Sequence, residues 1–213
     1  ILSVLTLYRD KFRKMLDRRT MFATGEGLGA IQVAAGILPV MAIGYLTHAA
    51  IKSYLFSPFT VIIGLVLGGI LMLAAEKWAA RPTVESVDKI TLKQAFYVGL
   101  FQILSLWPGF SRSGSTISGG LFLGLSRTAA AEFSFIIAVP LMFVACIYDL
   151  LKMLNRLNAG DLQMIALGFA VSFAVAYVSI VWFLKFLNRS TLASFAYYRF
   201  ILAVVSYYYF FGR

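Results

Sequence analysis

Long apolar runs separated by short polar stretches dominate the chain, and their lengths sort them into two kinds. Leu28 to Thr47, Phe59 to Ala75, Ala129 to Leu151, Met164 to Leu187 and Ser194 to Phe211 approach or reach the ~20 residues that an α-helix needs to cross a bilayer. Pro39 and Pro140 lie inside two of them and predict kinks. Leu92 to Leu106 and Ile117 to Leu125 are too short to cross alone, and they flank a polar stretch, WPGFSRSGST, from Trp107 to Thr116. That pairing predicts two half-helices that dip into the membrane and return. Alternation over about ten residues, the mark of a membrane β-strand, is nowhere sustained. The predicted fold class is therefore all-α, a polytopic membrane protein with a re-entrant helix-loop-helix. ILSVLTLY, from Ile1 to Tyr8, reads as the last turns of a crossing, and with Ile rather than Met in first place the chain is expected to lack an N-terminal part.

Composition agrees: 61% of residues are hydrophobic and 13% charged, against roughly 25% charged in soluble domains. The formal charge of +10 would suggest nucleic acid in a soluble protein. No basic stripe with interleaved aromatics supports that, so nucleic acid is excluded as a partner. The lone Cys146 allows no intrachain disulfide. The basic residues instead report topology. With the short pair as a dip, one side receives thirteen of them: Arg9, Lys11, Arg13, Lys14, Arg18, Arg19, Lys77, Arg81, Lys89, Lys93, Arg127, Lys185 and Arg189. The other receives Lys52, Lys152, Arg156 and Arg213. The positive side is cytoplasmic, which puts the C-terminus outside. A hairpin followed by three crossings forms a unit that ends opposite its start, so two such units in tandem are inverted repeats. Residues 1–91 read as the remainder of a first repeat and 92–213 as a second, with its hairpin at 92–126.

Irregular backbone at membrane depth must be buried in protein or line a wet cavity, because lipid satisfies no N–H or C=O group. Gly109 and Gly114 allow tight turns and close approach of backbone amides to a ligand. Ser115 or Thr116 is expected to cap a helix starting near Ile117, whose N-terminus favours anions. Arg112 adds a planar fork that matches phosphate oxygens. Together with the hydroxyls of Ser111, Ser113, Ser115 and Thr116, these residues describe a phosphate-sized anion site. The competing reading has Arg112 snorkelling to an interface or paired with Glu132, with the serines satisfying local backbone. Arg199, inside the last crossing, either braces the core against a carboxylate such as Glu132 or reaches the anion. Gln102 turns to the cavity or bridges helices. Glu76 and Glu132 read as helix-end residues and His48 as a solvated loop residue, while Gly64, Gly68 and Gly69 suggest close helix packing.

PGFSRSGST resembles the second signature of the undecaprenyl-diphosphate phosphatase family, also called the bacitracin-resistance family. AAAEFSFIIAVP (Ala129 to Pro140) and FAYYRF (Phe195 to Phe200) are similar to its flanking pattern, and the resemblance covers nearly the whole chain. It implies a bacterial inner-membrane enzyme that removes the terminal phosphate of undecaprenyl diphosphate. By the same resemblance Arg112 binds the diphosphate with Ser111 and Thr116 beside it, and Ser113, Gly114 and Ser115 complete the phosphate cradle. Gln102, Glu132 and Arg199 stand behind them. The chain departs from the family at its first signature, a glutamate-rich stretch ending in Ser-Ser-Thr-Gly-His, which it does not contain. The expected divalent cation, Mg or Ca, therefore has no ligands in this chain, nor is a nucleophile or base evident, and the chain alone is expected to be inactive. The partners implied are a polyprenyl diphosphate and membrane lipids, and a homo-oligomer is compatible with this reading. The rival reading is a secondary transporter or flippase that binds an anion through the same residues without cleaving it.

Overall fold

The computed structural model describes residues 1–16, 27–79, 81–153 and 159–212. Among these, every regular element is helical apart from an isolated parallel bridge between Val84 and Leu125. The helices are α1 (Leu2–Leu7), α2 (Arg9–Leu16), α3 (Ala30–Tyr54), α4 (Pro58–Trp78), α5 (Leu92–Ile103), α6 (Arg112–Phe122), α7 (Arg127–Met153), α8 (Ala159–Leu187) and α9 (Ala193–Phe211). Single 3-10 turns occur at Val87–Lys89 and Leu104–Leu106. Four helices among the described residues are long and apolar enough to cross a bilayer: α3, α4, α7 and the Gln163–Leu187 part of α8. The predicted crossing at Ser194 to Phe211 is the 19-residue helix α9, but its five tyrosines lower its hydropathy and it falls outside that set. The chain is an all-α, multi-pass membrane protein. Of the basic residues used to argue topology, Arg18, Arg19, Arg156 and Arg213 lie outside the described residues.

Local sequence explains where the helices start. Ser57 caps α4 by accepting the Thr60 N–H at 3.2 Å, and Pro58 follows at the first helical position, where its missing N–H costs nothing. Thr91 and Gln94 form a reciprocal capping box at α5. Helix α3 runs past the expected end at Thr47 to Tyr54, so His48 is an exposed helical residue rather than a loop one.

The two short apolar pieces form a hairpin. Gln94, beyond capping its own helix, donates from Nε2 to the Leu123 carbonyl at 3.0 Å, so the hairpin ends where it began. Phe101 and Phe122 stack across it at 5.9 Å between centroids. Helix α6 packs against α4, α5 and α7 and is buried from Gly114 through Leu121. Its run of small residues lets three neighbours approach closely. Helix α8 is the opposite case: no residue in its spanning window is buried, and Ser3 on α1 meets it through a 2.9 Å bond to the Phe173 carbonyl.

Three helix ends meet at Glu76. Arg127, at the start of α7, grips its carboxylate through Nε at 2.9 Å and Nη2 at 2.6 Å, while the Leu192 N–H at the start of α9 donates at 2.8 Å. The Glu76 side chain is 11% exposed and that of Arg127 is 42% exposed. Glu76 is thus a junction and not a plain helix end. Removing Arg127 strands the more buried charge, whereas Glu76→Gln keeps an acceptor for both donors. Arg127→Ala should cost about 2 kcal/mol of stability and Glu76→Gln about 1 kcal/mol. Thermal unfolding in detergent micelles measures this, and equal losses in the two variants would contradict it.

Candidate functional site

The turn between α5 and α6 lies along α4, backbone on backbone. Trp107 Nε1 donates to the Thr60 carbonyl at 2.8 Å. Gly109 adopts φ +87°, a conformation only glycine takes without strain, and a side chain there would meet the Val61 carbonyl. On the α4 side, a β-carbon at Gly64 would strike the Pro108 carbonyl, and one at Gly68 the Phe110 carbonyl and the Arg199 guanidinium. The glycines read as helix-packing residues therefore serve mainly to seat the turn; Gly69, against the Phe200 ring, is the one that admits a neighbouring helix.

Arg199 locks this arrangement. Its Nη2 donates to the Gly109 carbonyl at 2.6 Å and the Gly64 carbonyl at 3.1 Å, and its Nε to the Leu65 carbonyl at 3.3 Å. It braces the core, as one of the two readings had it, but against backbone carbonyls. Glu132 is not its partner.

Helix α6 begins at Arg112, five residues before the expected start. The cap is Ser111, whose Oγ accepts the Gly114 N–H at 3.2 Å. Ser111 has φ +74°, the sole non-glycine residue with positive φ among those described. Such backbone is strained and persists where surrounding structure over-determines it, commonly at functional sites. Ser115 and Thr116 do not cap. Ser115 Oγ bonds back to the Ser111 carbonyl at 2.8 Å; Thr116 Oγ1 reaches the Arg112 carbonyl at 3.1 Å and Ser134 Oγ at 2.6 Å. Both residues are fully buried.

The Arg112 guanidinium turns toward α5 and α7, where Nη2 donates to Gln102 Oε1 and to the Ser134 carbonyl, both at 3.3 Å. Arg112 and Ser113 line a cavity of ≈ 270 Å³ whose other walls are Ile1, Val4 and the Phe135 to Met142 face of α7. On the opposite side of the first turn of α6, Ser111, Ser113 and Gly114 line a second cavity of ≈ 240 Å³ with Tyr198 and Arg199. Ser115 and Thr116 line neither cavity. Among the described residues neither Arg112 nor Arg199 has an ion-pair partner. Glu132, two residues before Ser134, is coupled electrostatically to Lys11, Asp88 and Tyr8 instead, and Lys11 pairs with Asp88 at 2.6 Å. Two guanidinium groups thus flank one strained turn without a carboxylate to neutralise them. Arg199 is spent on backbone carbonyls, which leaves Arg112 as the guanidinium available to an anion.

The sequence missed Ser134 and the strain at Ser111. The first had a signal, a hydroxyl in the otherwise apolar FSFIIAVP stretch of a crossing; the second had none, because φ is set by the turn being pressed onto α4. The strain makes a checkable difference between two substitutions. Ser111→Gly loses the cap but relieves the backbone, whereas Ser111→Ala loses the cap and keeps the strain. The glycine variant should be the more stable by about 1 kcal/mol, about 3 °C in melting temperature for a chain of this size. An alanine variant that melts no lower than the glycine variant would show the backbone there to be unstrained.

The chain matches the family described as bacitracin resistance protein BacA over residues 1–205. It is 47% identical over 213 residues to an undecaprenyl-diphosphatase of Geobacillus kaustophilus, covering 99% of this chain and 78% of that relative. It is 46% identical over 209 residues to an undecaprenyl-diphosphatase of a Geobacillus species, covering 97% and 77%, and 44% identical over 205 residues to undecaprenyl-diphosphatase 1 of Bacillus anthracis, covering 96% and 77%. A match that spans nearly the whole chain, signature turn included, settles its kinship: the protein belongs to the bacitracin resistance protein BacA family.

Proposed function

We propose that this protein is an integral membrane phosphatase that hydrolyses undecaprenyl diphosphate to undecaprenyl phosphate and inorganic phosphate, recycling the lipid carrier of cell-wall synthesis. The names of its relatives support the reaction. The observation that carries the site is Arg112: a half-buried guanidinium, held only by neutral acceptors among the described residues, beside a cavity otherwise lined by Ser113 and apolar side chains. A charge left in that state is costly unless an anion completes it.

In this reading the terminal phosphoryl group sits at the first turn of α6. Water adds to its phosphorus, the bond to the bridging oxygen breaks, and undecaprenyl phosphate leaves. Arg112 stabilises charge on the transferred oxygens, Ser111 and Ser113 donate from the turn, and the helix N-terminus adds its N–H groups. Ser115 and Thr116 hold the turn from within. Arg199 keeps the loop on α4. The α5 to α6 hairpin is re-entrant, the fold is one of inverted repeats in a bacterial inner membrane, and the C-terminus faces outside. The lipid tail lies against the crossing helices.

Reactions of this class commonly use a divalent cation to offset phosphate charge. Among the described residues no three His, Cys, Asp or Glu side chains stand together as a metal site, and Glu76 is committed to Arg127. These residues do not fit such a group, and no step above passes through one. A requirement for Mg or Ca, which remains part of the proposal, rests on ligands other than these.

A transporter would bind the same anion without cleaving it, so phosphate release decides between the two. With full-length purified protein and undecaprenyl diphosphate, Arg112→Ala should lower kcat/KM at least 100-fold, and Arg112→Lys should restore little, because a point charge does not replace a planar fork. Lipid diphosphate bound in an Arg112-dependent way but never hydrolysed would overturn the phosphatase. Chelation should stop release and added Mg or Ca should restore it; release that persists in excess chelator would remove the cation from the proposal.

A further inference from the structure

Gln102 sits near the end of α5 with no exposed surface. Its amide has one acceptor and two donors, whereas a guanidinium has donors only. Facing Arg112 Nη2 at 3.3 Å, the amide must therefore present Oε1, and its NH2 group must point elsewhere. That assignment follows from chemistry and does not depend on telling oxygen from nitrogen. It leaves Gln102 Nε2 buried and without an acceptor among the described residues. Arg112 Nε is in the same state.

Four buried side-chain groups lack a partner among the described residues, and while Tyr8 Oη and Ser118 Oγ stand alone, the Gln102 and Arg112 donors fall on the two residues of one hydrogen-bonded pair. Buried polar groups are nearly always satisfied, and an orphaned donor costs about 1–3 kcal/mol. Bond lengths within each group put the two orphans no more than about 8 Å apart, a span that a phosphate covers when two of its oxygens each accept an N–H at about 2.9 Å. Ser134 stiffens the same cluster from α7, through its carbonyl on Arg112 and its hydroxyl on Thr116.

Resting on the phosphatase reading, we infer that Gln102 is a substrate-binding residue of the site: its Oε1 fixes the Arg112 fork and its Nε2 donates to a phosphoryl oxygen of the diphosphate. Arg112 Nε supplies the neighbouring bond. Gln102 thereby tells a phosphate anion from a neutral lipid head group, since both donors are satisfied only by an acceptor-rich group.

The test is steady-state phosphate release from undecaprenyl diphosphate by the full-length protein, comparing Gln102→Met, Gln102→Glu and the parent. Gln102→Met keeps length and apolar packing but removes both hydrogen-bonding functions, and KM should rise about 10-fold or more. Gln102→Glu keeps the acceptor for Arg112, and so the fold, but replaces the donor with a charge that repels phosphate. Its KM should rise further as pH increases and the carboxylate ionises, a pH dependence the parent does not show. A folded Gln102→Met or Gln102→Glu protein with the parent's KM overturns the inference, as does a loss confined to kcat, which would mark an interaction made only in the transition state and not substrate binding. If the parent itself releases no phosphate, the phosphatase reading has failed, and binding of undecaprenyl diphosphate then decides for Gln102: affinity lowered about 10-fold in Gln102→Met supports its contact with the head group, and affinity equal to the parent's overturns it.

Discussion

A cation or an irregular backbone segment placed among apolar helices is stable only where the protein itself supplies hydrogen-bond partners, and the architecture around α6 follows from that constraint. The turn from Trp107 to Ser111 is too polar to face lipid, so α4 is carved by Gly64 and Gly68 to receive it. Trp107 and Arg199 then tie it down with bonds to carbonyls on both sides of the contact. Helix α6 is in turn rich in small residues, and its Ser115 and Thr116 hydroxyls bond inward to their own helix or to Ser134. These bonds hold the hairpin of two short helices against α4 and α7.

The same constraint separates two arginines that composition alone would treat alike. Arg199 reaches three backbone carbonyls with Nε and Nη2, and its place is fully explained by holding the turn. Arg112 has an amide and one carbonyl at longer range and keeps a buried Nε without an acceptor. An arginine whose hydrogen bonds close within the protein supports the fold; one whose bonds remain open points to a ligand. The distinction lies in geometry, and no property of the residue type carries it.

Much of this was legible in the sequence. Apolar run length separated the crossing helices from the pair at 92–103 and 112–122, and WPGFSRSGST, which runs into the second of them, pointed to the candidate site, because an arginine and hydroxyls between two short apolar pieces have few other uses. What stayed hidden depends on tertiary contact. The start of α6 shifted to Arg112 because Ser111 caps from a strained backbone that only the docked turn imposes. Thr116 moved from the expected cradle to its support because a helix beginning five residues earlier rotates it toward Ser134. Glu132 makes no ion pair with Arg112 or Arg199, and the charges that act on it, Lys11 and Asp88, are far away in sequence.

The walls of the Arg112 cavity bear on the kind of anion it takes. A free phosphate gives up its hydration on all sides when it is buried, and that is costly unless polar groups replace the water. Here one arginine and one serine face Ile1, Val4, Phe135, Ala138, Val139 and Met142. The other end of the hairpin is tied shut: Gln94 holds Leu123, the Thr83 and Val84 N–H groups hold the Gly124 carbonyl at 2.8 and 3.0 Å, and Arg127 holds Glu76. Entry from that end would break several bonds at once, whereas entry between α1 and α7 meets apolar side chains that no such bonds restrain. A ligand suited to that route has a charged head small enough for the first turn of α6 and an apolar body that follows it along the helices. A lipid phosphate has that form, and a soluble phosphate would have to cross the same apolar wall without a tail to offset its desolvation.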